Sequence, residues 1–142
     1  MAEGLTLTEE LDALIDETRR DDLSPGDLIS IQTNISAIKY TVSTQLAKAE
    51  GRMLVAKENY EKHLLRERFT LQASDSKLSA TKANDMVEMD EDTEKLRQEV
   101  LRTKITYSAL KNRVDNAKDV LVALSVRIKG LEQEMKESRL HT

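Results

Sequence analysis

From Leu28 onward, apolar residues recur at intervals of three and four: Leu28, Ile31, Ile35, Ile38, Val42, Leu46, Ala49, Met53, Ala56, Tyr60 and Leu64. Residues three and four apart share a helical face, so a stripe held over about ten turns predicts a long amphipathic helix. Roughly 45 residues at about 1.5 Å each would extend about 65–70 Å. The pattern thins between Phe69 and Ser79, where Gln72-Ala73-Ser74-Asp75-Ser76 dilutes it.

The last third carries a stricter series: Met86, Met89, Thr93, Leu96, Val100, Thr103, Tyr107, Leu110, Val114, Ala117, Leu121, Leu124, Ile128, Leu131 and Met135. Three and four alternate without a slip, which is a heptad register. It predicts one helix sharing a left-handed supercoiled seam with its partners, with only Thr93 and Thr103 polar in it. Leu101, Ile105, Val122 and Val126 form a second stripe away from that seam. A two-helix contact would leave them in water, which points to a third or fourth helix. The expectation is a hairpin of two long helices that assembles with copies of itself.

Upstream, Thr8 followed by Glu9, Glu10, Leu11, Leu14 and Ile15 reads as an N-cap, an acidic first turn and a short amphipathic helix ending near Asp21–Leu23. Ser24-Pro25-Gly26-Asp27 breaks the chain and restarts it, since proline suits the first turn of a helix behind a serine cap. The predicted architecture is therefore all-α. Residues 1–23 form a short acidic N-terminal helix, and residues 24–142 form one long antiparallel helical-hairpin or coiled-coil domain that builds a homo-oligomer.

Composition supports this picture. Of 142 residues, 34% are charged and 3% aromatic, with one proline and four glycines, too few turn formers and bulky groups for a globular core. There is no cysteine, which excludes disulfides, thiolate nucleophiles and Cys-type zinc sites. No apolar run approaches the ~20 residues that span a bilayer, and the N-terminus is acidic, unlike a signal peptide. A soluble cytoplasmic protein, in the host cytoplasm if viral, is the expectation, with no membrane partner.

Catalysis finds few candidates. His63 and His141 are the only histidines and stand apart, and no phosphate-cradling glycine loop is present. The acidic run Asp85, Glu88, Asp90, Glu91, Asp92, Glu94 lacks the ligand-and-glycine alternation of a calcium loop. Acids before a helix ordinarily serve its dipole. The reading is a non-enzyme without metal or cofactor.

Charge is distributed unevenly. Residues 1–30 are net −7, 31–84 net +4, 85–98 net −4 and 99–142 net +3. On a wheel with Lys48 at zero, Arg52 falls at about 40°, Lys62 at about 320° and Arg66 at about 0°, with Asn59 and His63 between them. Glu50, Glu58 and Glu61 fall elsewhere, and no aromatic residue is expected on this face. The strip spans roughly 27 Å, a length suited to successive phosphates of a nucleic acid. Cations on an outer helix face most often serve to solubilise it, and Glu58–Lys62 pairing explains some of the same residues as helix stabilisers. Two functions follow: nucleic-acid binding, to a single strand or a duplex edge, or a structural coiled-coil scaffold, virion component or tether whose charges are merely solvated.

The layout resembles the recombination-mediator proteins of T-even-type phages, the UvsY-like family, over roughly Leu7 to Met135. The likeness lies in a short helix with Glu9-Glu10-Leu11 and Ile15-Asp16, then a break, then Glu50-Gly51-Arg52-Met53-Leu54-Val55-Ala56-Lys57. After these come Ser76-Lys77-Leu78-Ser79-Ala80-Thr81-Lys82-Ala83, Asp85, and a closing helix with Leu96 and Tyr107. The resemblance implies an oligomeric accessory protein that binds single-stranded DNA. It would help a RecA-like recombinase displace a single-strand-binding protein during homologous recombination, with Arg52 and Lys57 nearest the family's DNA-contacting stretch. The expected nucleic-acid set is Lys48, Arg52, Lys57, Lys62 and Arg66. The expected seam is Leu96, Val100, Tyr107, Leu110, Val114, Leu121, Leu124, Ile128 and Leu131.

Overall fold

The computed structural model describes residues 6–140. His141, noted in the sequence, lies outside the described residues, as does the start of the expected N-terminal segment. The described chain is all-α: α1 (Leu7–Glu17), α2 (Pro25–Ser74), α3 (Ala80–Glu88) and α4 (Glu91–Leu140), with no strand among the described residues. None of these helices is long and apolar enough to cross a membrane.

Local chemistry sets the helix ends. The cap of α1 is Thr6, not Thr8: the Glu9 N–H donates to Thr6 Oγ1 at 3.2 Å, while Thr8 lies inside the first turn. The helix stops at Glu17, earlier than expected, where the Thr18 hydroxyl turns back to donate to the Ile15 carbonyl at 2.6 Å. Ser24 and Asp27 then bond reciprocally. The Ser24 N–H donates to Asp27 Oδ2 (3.0 Å) and the Asp27 N–H to Ser24 Oγ (3.1 Å), with Pro25 as the first residue of α2. This is a capping box with aspartate in the glutamate position. Ser79 caps α3 by accepting from the Lys82 N–H.

One expectation fails here. The heptad series runs unbroken from Met86, but the chain ends α3 at Glu88 and restarts α4 at Glu91. Met86 and Met89 are exposed, and Ala83 and Val87 are buried in their place. A single helix would hold Asp85, Glu88, Asp90, Glu91, Asp92 and Glu94 as mutually repelling charges. The break instead puts Glu91, Asp92 and Glu94 in the first turn of α4, where the helix dipole favours anions. At the other end of the series, Met135 is exposed as well.

The chain divides into two compact units. One comprises the chain up to Gln45 together with Leu110 onward; the other is Leu46–Ala109. The first unit holds a core of Leu11, Ile15, Leu23, Leu28, Ile31, Ile35, Ala117, Leu124 and Ile128, flanked by Leu14, Ile38, Val120, Leu121 and Leu131. Gln32 donates to Ser125 Oγ at 2.8 Å across it. Arg127 reaches the end of α1, donating through Nη1 to the Thr18 carbonyl (2.5 Å) and through Nη2 to the Arg20 carbonyl (2.6 Å). Arg113 adds a 3.6 Å ion pair with Asp12.

The second unit buries smaller side chains. Ala49, Met53 and Ala56 of α2 are buried, as are Ala83 and Val87 of α3 and Thr93 and Thr103 of α4. Both threonines are satisfied. Thr103 donates to the carbonyls of Glu99 and Val100 of its own helix, and Thr93 Oγ1 lies 2.8 Å from His63 Nε2. Among the described residues, no buried side-chain polar atom lacks a partner.

Candidate nucleic-acid interface

The outward face of α2 within the second unit follows from its inward one. Ala49, Met53 and Ala56 are buried and Tyr60 and Leu64 half-buried, so the inward face centres at about 120° on a wheel with Lys48 at zero. Roughly a third of a turn to one side of it the helix presents Lys48, Arg52, Val55, Asn59, Lys62, Arg66 and Phe69, every one exposed. Their spacing alternates four and three, so they line one ridge of roughly 31 Å at about 1.5 Å per residue.

Four of the five expected nucleic-acid residues, Lys48, Arg52, Lys62 and Arg66, lie on this ridge. Lys57 does not: nine residues from Lys48, it sits about half a turn round the helix and is half-buried. His63 borders the ridge but turns inward to Thr93.

Not every cation is free for a ligand. Lys62 Nζ lies 2.7 Å from Glu58, and this hydrogen bond holds the Glu58 carboxyl below its usual range. Among the described residues, Lys48, Arg52 and Arg66 make no ion pair. Lys48 and Arg52 flank a shallow hollow of about 500 Å³, also lined by Gly51, Val55, Ala56, Asn59 and Glu99. Glu99 brings a carboxylate to this hollow from α4, but Arg102 engages both its oxygens at 2.7 and 3.0 Å and lowers its pKa. The two basic residues of the hollow therefore keep their charge available.

The ridge also carries two residues that the charge pattern alone passes over. Val55 is 55% exposed and Phe69 75% exposed, so the face does contain an aromatic ring, against expectation. In the other unit Tyr40 is exposed too. A wheel centred on the cations puts Phe69 only about 20° beyond Lys62, and that angle was the available signal.

The expected seam falls largely in the interior. Val114, Leu124 and Ile128 are buried, and Leu96, Val100, Tyr107, Leu110, Leu121 and Leu131 are half-buried, all against the chain itself. The second stripe stays outside, with Leu101, Ile105, Val122 and Val126 exposed. Among the described residues, no group of three or more histidine, aspartate or glutamate side chains is arranged to hold a metal ion. No protein-family model, curated protein or solved structure matches the chain.

Proposed function

We propose that this protein is an accessory single-stranded-DNA-binding protein of phage-type homologous recombination. In this reading it works as a homo-oligomer of coiled-coil hairpins and presents DNA to a RecA-like recombinase against a single-strand-binding protein. The observation that carries the DNA-binding part is the set Lys48, Arg52 and Arg66: exposed, on one helical ridge, and without an ion pair among the described residues. Unpaired cations in a row are costly to assemble through mutual repulsion, and a polyanion relieves that repulsion while releasing its own counterions. The recombination role rests on the resemblance to the phage mediators. Self-association is supported by the exposed aliphatics Leu101, Ile105, Val122 and Val126.

Fluorescence anisotropy with a labelled oligothymidylate, titrated across salt, tests the reading. Three phosphate contacts per subunit on a single strand give a log–log salt slope of about −2, so affinity per site drops roughly 20-fold between about 50 and 200 mM salt. Charge reversal at Arg52 and Arg66 should weaken binding while leaving the sedimentation coefficient unchanged. Absence of binding at low salt sinks the proposal. The exposed aliphatic stripe on α4 would then favour the second reading, a structural coiled-coil scaffold.

A further inference from the structure

Resting on the DNA-binding reading above, we propose that Phe69 is a base-stacking platform at the end of the basic ridge, placed to take one nucleobase of a strand whose phosphates run past Arg66. An exposed phenylalanine forgoes the stabilisation that burial of its ring would bring, and Phe69 is 75% exposed. Single exposed apolar residues are common; the neighbours of this one distinguish it. Arg66 precedes it by three residues, so it stands about 60° round the helix and about 4.5 Å along it. Lys62 precedes it by seven, which puts the two within about 20° of one line and about 10.5 Å apart. Cation and ring are thus spaced on the scale of one nucleotide.

The surface beside the ring has the matching chemistry. A shallow hollow of about 400 Å³ is lined by Leu65, Arg66, Arg68, Phe69, Thr70 and Gln72. Its wall offers two apolar side chains, two guanidinium groups and the polar groups of Thr70 and Gln72, and no carboxylate. The Thr70 hydroxyl donates to the Arg66 carbonyl at 2.9 Å, so its oxygen can still accept a bond. A nucleobase asks for this combination: a flat apolar face to stack on, donors and acceptors at its edge, and cations for the phosphates on either side. Two arginines and no carboxylate among the lining residues match a polyanionic strand by charge.

The sequence contains no tryptophan, so Phe69→Trp installs a single indole at the proposed platform. The full chain carrying this variant is titrated at low salt with oligothymidylate and with an abasic phosphodiester strand of equal length. Thymidylate should quench the indole, while the abasic strand should bind through charge alone without quenching it. Phe69→Ala should weaken thymidylate binding on the order of ten-fold, leaving the abasic affinity and the salt slope unchanged. Phe69→Leu separates stacking from simple apolar contact and should behave like the alanine variant. Equal quenching by both strands, or wild-type thymidylate affinity in Phe69→Ala or Phe69→Leu, overturns the platform while the DNA reading stands. A change in oligomer mass in Phe69→Ala, seen by sedimentation, also overturns it, because the ring would then be a contact between copies. Failure of the wild-type chain to bind either strand removes the DNA reading and the platform together.

Discussion

Replacing Arg127 by alanine should release α1 without unfolding the rest of its unit. The helix has only 11 residues, below the ~12–15 at which an isolated helix becomes even marginal in water. It persists because Leu11 and Ile15 are buried and because Arg127 bridges the carbonyls of Thr18 and Arg20 at 2.5 and 2.6 Å. Those carbonyls leave the C-terminal end of α1, where intrahelical partners run out and the dipole favours a cation. A hydrogen bond to a charged group contributes about 1.5–3 kcal/mol. Water can replace the guanidinium at the exposed Arg20 end, so the two bonds together are put at about 2 kcal/mol, not the full sum. That is roughly a 30-fold rise in the opening equilibrium of α1, since about 1.4 kcal/mol is ten-fold. Native-state hydrogen exchange reads it directly. Amides from Leu11 to Ile15 should exchange about 30-fold faster in the variant, while those of Ile35 and Val42 hold their protection. Arg127→Lys should recover only part of the effect, because an ammonium is a point charge and lacks the fork that spans two carbonyls. Unchanged protection across α1 in Arg127→Ala would refute the strap and leave α1 to the packing of Leu11, Leu14 and Ile15 and the Asp12–Arg113 pair.

Gly51 and Gly130 sit inside helices with nothing within 4 Å of an added Cβ. Each change to alanine should therefore raise stability by about 1 kcal/mol, read as a higher midpoint in thermal denaturation, and a lower midpoint would mean that space is needed by something else. Acid should fray the start of α2 first. Asp27 is held below the usual carboxylate range because it accepts the Ser24 N–H, so its contribution is present above that range and disappears as pH falls through it and below. Asp22, Glu58, Glu94 and Glu99 are depressed as well and act in the same direction. The Ser24 amide resonance, followed by NMR through an acid titration, should lose its hydrogen-bonded shift, and Asp27→Asn should flatten that response; an unchanged Ser24 shift at low pH would refute it.

Much of the fold was legible because burial on a long helix is periodic. Every apolar position expected on α2, from Leu28 to Leu64, is buried or half-buried, and the Ser24-Pro25 break lies where the cap chemistry put it. The break at Met89–Asp90 was not legible from periodicity, since the three-and-four spacing continues straight across it. There the charges account for one side only: Glu91, Asp92 and Glu94 gain the favourable first turn of α4, while Asp85 and Glu88 remain in the last turn of α3, where the dipole opposes them. Thr6 prevailed over Thr8 as a cap because it has Glu9 three residues on, the capping-box spacing. At the candidate interface, the wheel located Lys48, Arg52, Lys62 and Arg66. It could not show that Lys62 would bind Glu58, that His63 would turn to Thr93, or that Glu99 would arrive from another helix already engaged by Arg102. Those outcomes depend on tertiary neighbours that a one-helix projection omits.

The bond from Arg127 to Thr18 joins residues 109 apart, and this separation bears on how the chain is made. On a ribosome adding roughly 5–20 residues per second, the partner of α1 is not synthesised until about 5–20 seconds after α1 itself. Leu46–Ala109 is continuous in sequence and needs nothing beyond Ala109 to complete its own contacts. The other unit is assembled from both flanks of that segment and must wait. The order of synthesis therefore favours a nascent chain whose middle packs first, with Leu11, Ile15 and Leu28 uncovered until the closing helix arrives. In that interval the net charge of −7 over residues 1–30 favours a dissolved, unassociated segment, a task the finished structure no longer sets it.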